Sequence, residues 1–329
     1  MKAAVTNQDH GFDVVDMPDP KPGPDELVIR VTACGVCGSD VKAQPYAPPG
    51  MVMGHELGGD VVAVGSAVDG WKHGMNAAVL PVISCGACSY CLAGAVSHCS
   101  KVQYIGMGPA GGFAELAAVP ARHAFEVPAD VPSNFAALVE PFAVGLHGVH
   151  SAEIGPGDDV LIVGAGGVGL TTLAWTLRKG GARVTVADPD PKRRETALAV
   201  GATDVLGAVS DAESGRYDAA MECVGRPELV QACQPALRPL GRLVISGACA
   251  EPTPIEPITA LLKELTIRYS VAYRPDEFRE VIDAFANGII DPMPMVGPTF
   301  GLARLGEAFD LVRTGAVNGR VLVSAQAND

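Results

Sequence analysis

The chain has 329 residues, 48% of them hydrophobic, and 24 Lys+Arg against 37 Asp+Glu give a formal net charge of −13. That length exceeds one ordinary core and calls for about two domains, and so apolar a composition excludes a disordered chain. The acidic balance excludes nucleic acid and anionic membrane as main partners, because both demand a basic patch.

The N-terminal stretch MKAAVTNQDHGFDVV lacks the apolar core of a signal peptide, so a cytoplasmic protein is expected. In that reducing setting the nine cysteines point to metal binding or chemistry before disulfides. Residues 1 to about 140 read as β-rich, with alternating runs at 27–31 and 60–64 broken by Pro and Gly clusters. Residues 160–177 carry no charge over 18 positions, near the length of a membrane span. Glycines at 164, 166, 167 and 169 interrupt that run, which therefore reads as strand, turn and helix start.

From 159 to about 270, VLIVGAG, ARVTVAD, YDAAMEC and GRLVISG read as buried strands separated by helix-length segments. That rhythm belongs to a doubly wound parallel sheet, an α/β architecture. Two helical segments, DEFREVIDAFANG and ARLGEAFDLVRTG, and a closing strand, GRVLVSA, complete the chain. They lack material for a core of their own and are expected to pack back on the first domain. The domain division is thus 1–143 with 273–329, and 144–272.

Gly164-Ala165-Gly166-Gly167-Val168-Gly169 fits G-x-G-x-x-G after a strand, and Asp188 ends a second strand nineteen residues on. Gly164 permits a tight turn, Gly166 lets backbone approach a pyrophosphate, and Gly169 allows close helix–strand contact. Phosphates then meet the free N–H groups and dipole of a helix N-terminus. Asp188 accepts bonds from ribose hydroxyls and repels a 2′-phosphate, favouring NAD over NADP, although Lys192 and Arg193 stand close by.

Cys85, Cys88, Cys91 and Cys99 follow C-x2-C-x2-C-x7-C, a spacing that lets four thiolates close around one tetrahedral zinc. Such a shell leaves no open position, so this zinc is structural. An iron–sulfur cluster is compatible with the spacing alone. Separately, Cys37 in GVCGSD and His55-Glu56 in GHELGG, joined by a later carboxylate, make a three-ligand zinc site with an open fourth position. Catalytic zinc requires such an opening.

Over essentially its full length the chain resembles the zinc-dependent medium-chain dehydrogenase/reductase (alcohol dehydrogenase) family. The motifs are GVCGSD, GHELGG, the four-cysteine loop, GGFAEL, EPFAVGLH, GAGGVG with Asp188, and NGRVLV. The resemblance implies a GroES-like catalytic domain plus a Rossmann domain, two zinc ions per subunit, NAD, and a homodimer or homotetramer. It assigns Cys37, His55 and Glu140 to the catalytic zinc, as in sorbitol and threonine dehydrogenase-like members. Glu56 matches the acid that approaches zinc during ligand exchange, and which of Glu56 and Glu140 ligates stays open. Asp40 orients His55, Ser39 passes the substrate proton, and Lys42 stands where many members end the relay with His. Arg193 matches a basic residue near the adenosine ribose and Arg320 one near the pyrophosphate. Tyr46, Phe142 and His147 are candidate lining residues. The usual Gly-Asp-Arg-Val turn reads Gly74-Met75-Asn76-Ala77, where a lost surface pairing is expected.

The resemblance therefore implies interconversion of a secondary alcohol (a polyol, cyclitol or amino alcohol) and its ketone. Two rivals remain: a zinc-free-type quinone or enone reductase using NADPH, and a non-catalytic zinc and dinucleotide sensor.

Overall fold

Strands dominate the first 130 residues, where apolar side chains alternate with polar ones and Pro and Gly interrupt every run. The computed structural model describes all residues except Ala182, Pro254, Asn328 and Asp329. A hairpin of β1 (Lys2–Thr6) and β2 (Phe12–Asp16) leads into β3 (Glu26–Gly35), α1 (Gly38–Ala43), β4 (Glu56–Val64) and β5 (Asn76–Val79). A cysteine-rich excursion holds β6 (Val82–Ile83), α2 (Ser89–Leu92) and β7 (Gln103–Tyr104), before β8 (Leu116–Pro120), β9 (Ala124–Val127) and α3 (Val139–Ser151).

The texture then changes. Strands β10 (Asp159–Val163), β11 (Arg183–Ala187), β12 (Asp204–Leu206), β13 (Tyr217–Glu222), β14 (Leu237–Ile245) and β15 (Thr266–Tyr269) follow in turn. Between them lie α4 (Gly167–Arg178), α5 (Pro191–Val200), α6 (Pro227–Cys233) and α7 (Pro257–Lys263). The chain ends with α8 (Pro275–Ala286), β16 (Val296–Phe300), α9 (Leu305–Thr314) and β17 (Arg320–Val323).

Contacts divide the chain into two units, Met1–Glu140 with Arg274–Pro292 and Val296–Asp329, and Pro141–Tyr273 with Met293–Met295. In the second unit the sheet order is β12-β11-β10-β13-β14-β15, with every pair parallel. The order reverses direction between β10 and β13, and doubly wound sheets bind ligands at such a reversal. The apolar run 160–177 becomes strand β10, a glycine turn and helix α4. Among the described residues no helix is long and apolar enough to cross a membrane.

The first unit is built on a sheet ordered β16-β17-β3-β4-β5-β9, with β8 also pairing β3. Its core joins distant parts of the chain: Leu27, Ile29, Val31 and Phe113 pack with Leu305, Phe309, Val321 and Val323. Strand β17 pairs antiparallel with β3, setting Val323 opposite Cys34 and Leu322 opposite Gly35. That register delivers the C-terminal strand to the segment carrying Cys37.

One expectation fails here. Asn76 is 8% exposed, on β5 between β4 and β9, and neither end of its amide finds a hydrogen-bond partner among the described residues. The site is interior sheet, not a surface turn. Unpartnered burial of an amide costs about 1–3 kcal/mol.

Candidate active site and metal centres

Cys37 is extended at φ −88°, ψ 151° and caps the N-terminus of α1. Its amide donates to Asp40 Oδ2 at 3.0 Å, which secures the first turn of a helix only six residues long. The other carboxylate oxygen, Asp40 Oδ1, lies 2.9 Å from His55 Nδ1. One fully buried carboxylate thus fixes the backbone beside Cys37 and the ring of His55. Burial alone would lower the His55 pKa; the Asp40 charge and hydrogen bond, with Cys37, overcome it and hold the pKa well above its ordinary value.

Glu56 opens β4 directly across from Gly35, and no Cβ fits at Gly35 because it would stand 2.0 Å from Glu56 Oε2. Donor atoms of Cys37, His55 and Glu56 all lie within 4.8 Å of one another. Arg320 Nη1 approaches Glu56 Oε1 to 3.1 Å, but neither Glu56 oxygen has an aligned hydrogen bond. A buried carboxylate left in that state suits a cation. Thiolate, imidazole and carboxylate are a donor set that zinc accepts, so these residues fit the metal.

Glu140 stands in the first turn of α3, 8% exposed. Its charge reaches both Cys34 and Arg320. Burial opposes the charge on Arg320, but Glu56, Cys37 and Glu140 outweigh it and raise its pKa. Arg320 therefore belongs to the first unit, beside Glu56 and 3.4 Å from the Val36 carbonyl. Ser39 is half-buried and Lys42 exposed on α1; Tyr46 is 87% exposed just beyond it. Phe142, at 1% exposure, is a core residue whose carbonyl accepts the Trp175 indole N–H at 3.0 Å, and His147 is half-buried.

Among the described residues all nine cysteines are free. Cys85, Cys88, Cys91 and Cys99 bring their sulfurs within 4.8 Å of one another, with Cys88–Cys91 at 3.4 Å and Cys85–Cys91 at 3.9 Å. A disulfide needs about 2 Å, whereas a tetrahedron with 2.3 Å zinc–sulfur bonds has edges of about 3.8 Å. Amides of Ala87 and Cys88, with a hydrogen bond from Cys99, draw the Cys85 thiol down to about 6. A thiol so lowered is ready to ligate. Ser84, just before the cluster, is held by Arg122 on its carbonyl and His123 on its amide.

In the second unit β10 is followed by Gly164 at φ 96°, where a Cβ would fall 2.5 Å from Val224 Cγ2. At Gly169 a Cβ would meet the Gly164 carbonyl at 1.8 Å, so strand and helix touch there through bare backbone. Gly166 caps α4, and no described atom lies within 4 Å of where its Cβ would stand. Gly167 and Val168 form the first turn of α4 beside that opening. This is a cradle for an anionic group at a helix N-terminus.

Asp188 follows β11, 3% exposed. Its Oδ2 accepts from the Ala165 amide at 2.8 Å and its Oδ1 from the Asp190 amide at 2.9 Å. Arg193 Nη1 comes within 3.8 Å of Asp188 Oδ2, and Arg194 grips the Asp188 and Pro189 carbonyls. Sequence reading missed the bond from Asp188 to the glycine turn, the grip of Arg194 and the Arg320–Glu56 pair.

Residues 23–129 match the alcohol dehydrogenase GroES-like domain and residues 167–287 the zinc-binding dehydrogenase domain. The sorbitol dehydrogenase of Bacillus subtilis is 30% identical, covering 94% of this chain and 93% of its own. The chain belongs to the zinc-dependent medium-chain alcohol dehydrogenase family. Its architecture is the family's GroES-like domain with a Rossmann-like domain. The L-threonine 3-dehydrogenase of Pyrococcus horikoshii, another family member, is 32% identical over 94% of each chain. A zinc-binding dehydrogenase from Sinorhizobium meliloti, solved bound to NADP, superposes with a TM-score of 0.90 at 33% identity, covering 98% of both chains. Family membership makes this chain an oxidoreductase of the alcohol and polyol dehydrogenase type.

Proposed function

We propose that this protein is a zinc-dependent NAD(H) oxidoreductase that interconverts a secondary alcohol and its ketone. The substrate class is a polyol, cyclitol or amino alcohol. The observation that carries this reading is the buried group of Cys37, His55 and Glu56, with Asp40 bonded to His55 and Ser39 on the same short helix. When bound, zinc supplies Lewis-acid polarisation of the alcohol oxygen and the dinucleotide accepts the hydride. Cys37, His55 and a carboxylate hold the metal, and Asp40 fixes the His55 ring so that Nε2 faces it.

Glu140 is the carboxylate we assign as third ligand, because it falls where the sorbitol and threonine dehydrogenase-like pattern has Glu-Pro. Glu56 is then the acid that approaches during ligand exchange. Ser39 takes the substrate proton from the alcohol, and Lys42, exposed on the same helix, passes it towards solvent. A carboxylate in place of a thiolate makes the metal harder and favours substrates with vicinal oxygens. The sorbitol and threonine dehydrogenases among the relatives support that class.

Asp188 supports NAD, since its buried charge opposes a 2′-phosphate, although one similar structure carries NADP. The four cysteines hold the second zinc. Free thiols throughout fit a reducing, cytoplasmic compartment. The edge strand β15 and α7 expose Tyr269 at 64%, Leu261 at 69% and Leu262 at 76%. That apolar edge supports a homodimer or homotetramer.

The test combines metal analysis with an NAD and NADP reduction panel of sorbitol, 2,3-butanediol, threonine, cyclitols and monoalcohols. Two zinc ions per chain and NAD-linked oxidation of a vicinal substrate are expected. Preference for simple monoalcohols would sink the substrate class, and absence of zinc would revive the zinc-free reductase reading. Inactivity on the whole panel would favour a sensor.

A further inference from the structure

Helix α1 carries Ser39 and Lys42 and starts directly after Cys37, yet it is only six residues long. A helix of that length does not keep its shape or direction in isolation. Pro45 stops it, since a residue without an N–H cannot continue the ladder, and a single 3-10 turn, Gln44–Tyr46, follows. The direction of α1 must therefore come from what its two ends touch. Asp40 fixes the first end through the Cys37 amide and the His55 ring. Gln44 fixes the second.

Asp40 and Gln44 are both buried and lie four positions apart, one above the other on the inward face of the helix. The Gln44 amide donates from Nε2 to the His10 carbonyl at 2.6 Å and accepts at Oε1 from Arg313 Nη2 at 2.8 Å. Both partners are themselves held. His10 stands at φ 58°, a left-handed conformation that a residue with a Cβ adopts only where its surroundings enforce it. The Asn7 side chain closes that turn, accepting from the amides of Asp9 at 3.1 Å and Gly11 at 2.8 Å. Arg313, in the last turn of α9, sets its other terminal nitrogen on Asp310. One amide thus ties α1 to the β1–β2 hairpin and to α9, all within the first unit.

An apolar side chain of similar size would fill the space without fixing an angle, whereas two directional bonds to one planar amide do fix it. Beyond the turn, Thr6 Oγ1 donates to the Pro48 carbonyl at 2.6 Å, so the same hairpin also holds the chain that leaves α1. We propose that Gln44 is a positioning residue that sets where Ser39 presents its hydroxyl, with His10 and Arg313 as its supports. It acts through the direction of α1 and not by contact with the reacting atoms. The inference rests on the proton-transfer role given to Ser39 under Proposed function.

Gln44→Met and Arg313→Met test it in the full-length, metal-loaded enzyme, with NAD and the best alcohol of the panel above. The first keeps the bulk and removes both bonds. The second changes a half-exposed side chain, and it carries the test if Gln44→Met does not fold. At about pH 7 kcat is expected to fall about tenfold in Gln44→Met and about threefold in Arg313→Met, with KM for NAD within about twofold. The deficit should shrink to about twofold near pH 10, where solvent hydroxide takes the alcohol proton without Ser39. An unchanged kcat, or a deficit equal at every pH, would overturn the proposal and leave Gln44 a structural link. The double variant should lose no more than Gln44→Met alone, because both changes cut one linkage, and multiplied losses overturn it too. Apart from turnover, amide exchange in residues 39–46 should quicken in both variants while β4 stays protected; unchanged exchange overturns the clamp. A wild type that oxidises nothing in the panel brings down the dehydrogenase reading itself, a result separate from an active wild type matched by its variants.

Discussion

The two cysteine-bearing centres solve opposite problems with related ligands. The four-cysteine loop lies on a half-exposed excursion, and four thiols, three half-buried and Cys99 buried, close on one another. The Cys37 centre is interior, has three different donors, and is surrounded by Asp40, Arg320 and Glu140. A shell of identical soft ligands binds a metal and leaves it nothing to do. A mixed shell with buried charges around it leaves a position open and keeps its geometry under control. The first centre should therefore matter for folding and the second for chemistry.

The largest expected effect is His55→Ala. Turnover should fall by about a thousandfold or more, and metal analysis should show one zinc lost per chain. Cys91→Ser should invert that pattern. It should also lose one metal, but with a drop of roughly 5–10 °C in melting temperature and retained activity in the folded fraction. Activity loss without destabilisation in Cys91→Ser would break the contrast.

Arg320→Ala comes next. It strands the buried Glu56 carboxylate and should cost about 3 kcal/mol in denaturant unfolding. The double variant Arg320→Ala with Glu56→Gln should recover most of that loss, whereas additive losses would show that the pair is not coupled.

The smallest effect is a pH dependence on the structural side. His123 is buried against Ser84 and its pKa is lowered to about 4, first by desolvation and then by the Arg122 charge. An unfolded histidine titrates near 6.5. Between pH 6.5 and 4 the unfolded chain binds the extra proton, so stability falls as pH falls through that window and is flat above it. Thermal melts of His123→Gln, which keeps an acceptor for the Ser84 amide, should lose that slope.

What could be read from the sequence was what is local. Four cysteines within fifteen residues, a glycine turn between an apolar strand and a helix, and a strand–helix rhythm all signal themselves at short range. Those patterns give the α/β class and the doubly wound sheet directly. Long-range partners do not. Nothing in the order of residues couples Arg320 to Glu56, 264 positions earlier, and only the β17–β3 register reveals that the two lie together. Asn76 resembles a turn residue because Gly74 precedes it, yet the pairing with β4 and β9 draws it inside. Phe142 sits beside Pro141 in a motif that suggests substrate contact, and helix packing buries it instead.

The order of synthesis gives the shared core of the first unit one more consequence. Leu305, Phe309, Val321 and Val323 pack with residues made near the start of translation. The Rossmann-like unit between them is finished, apart from Met293–Met295, once residue 273 has left the ribosome. The unit begun first is therefore completed last. While it waits, the apolar faces of β3 and β4 lack their C-terminal cover, and this is the interval in which a nascent chain is open to chaperones and to aggregation. Truncation before residue 320 should release an incomplete first unit while leaving the second able to fold, a difference that limited proteolysis of stalled chains would resolve.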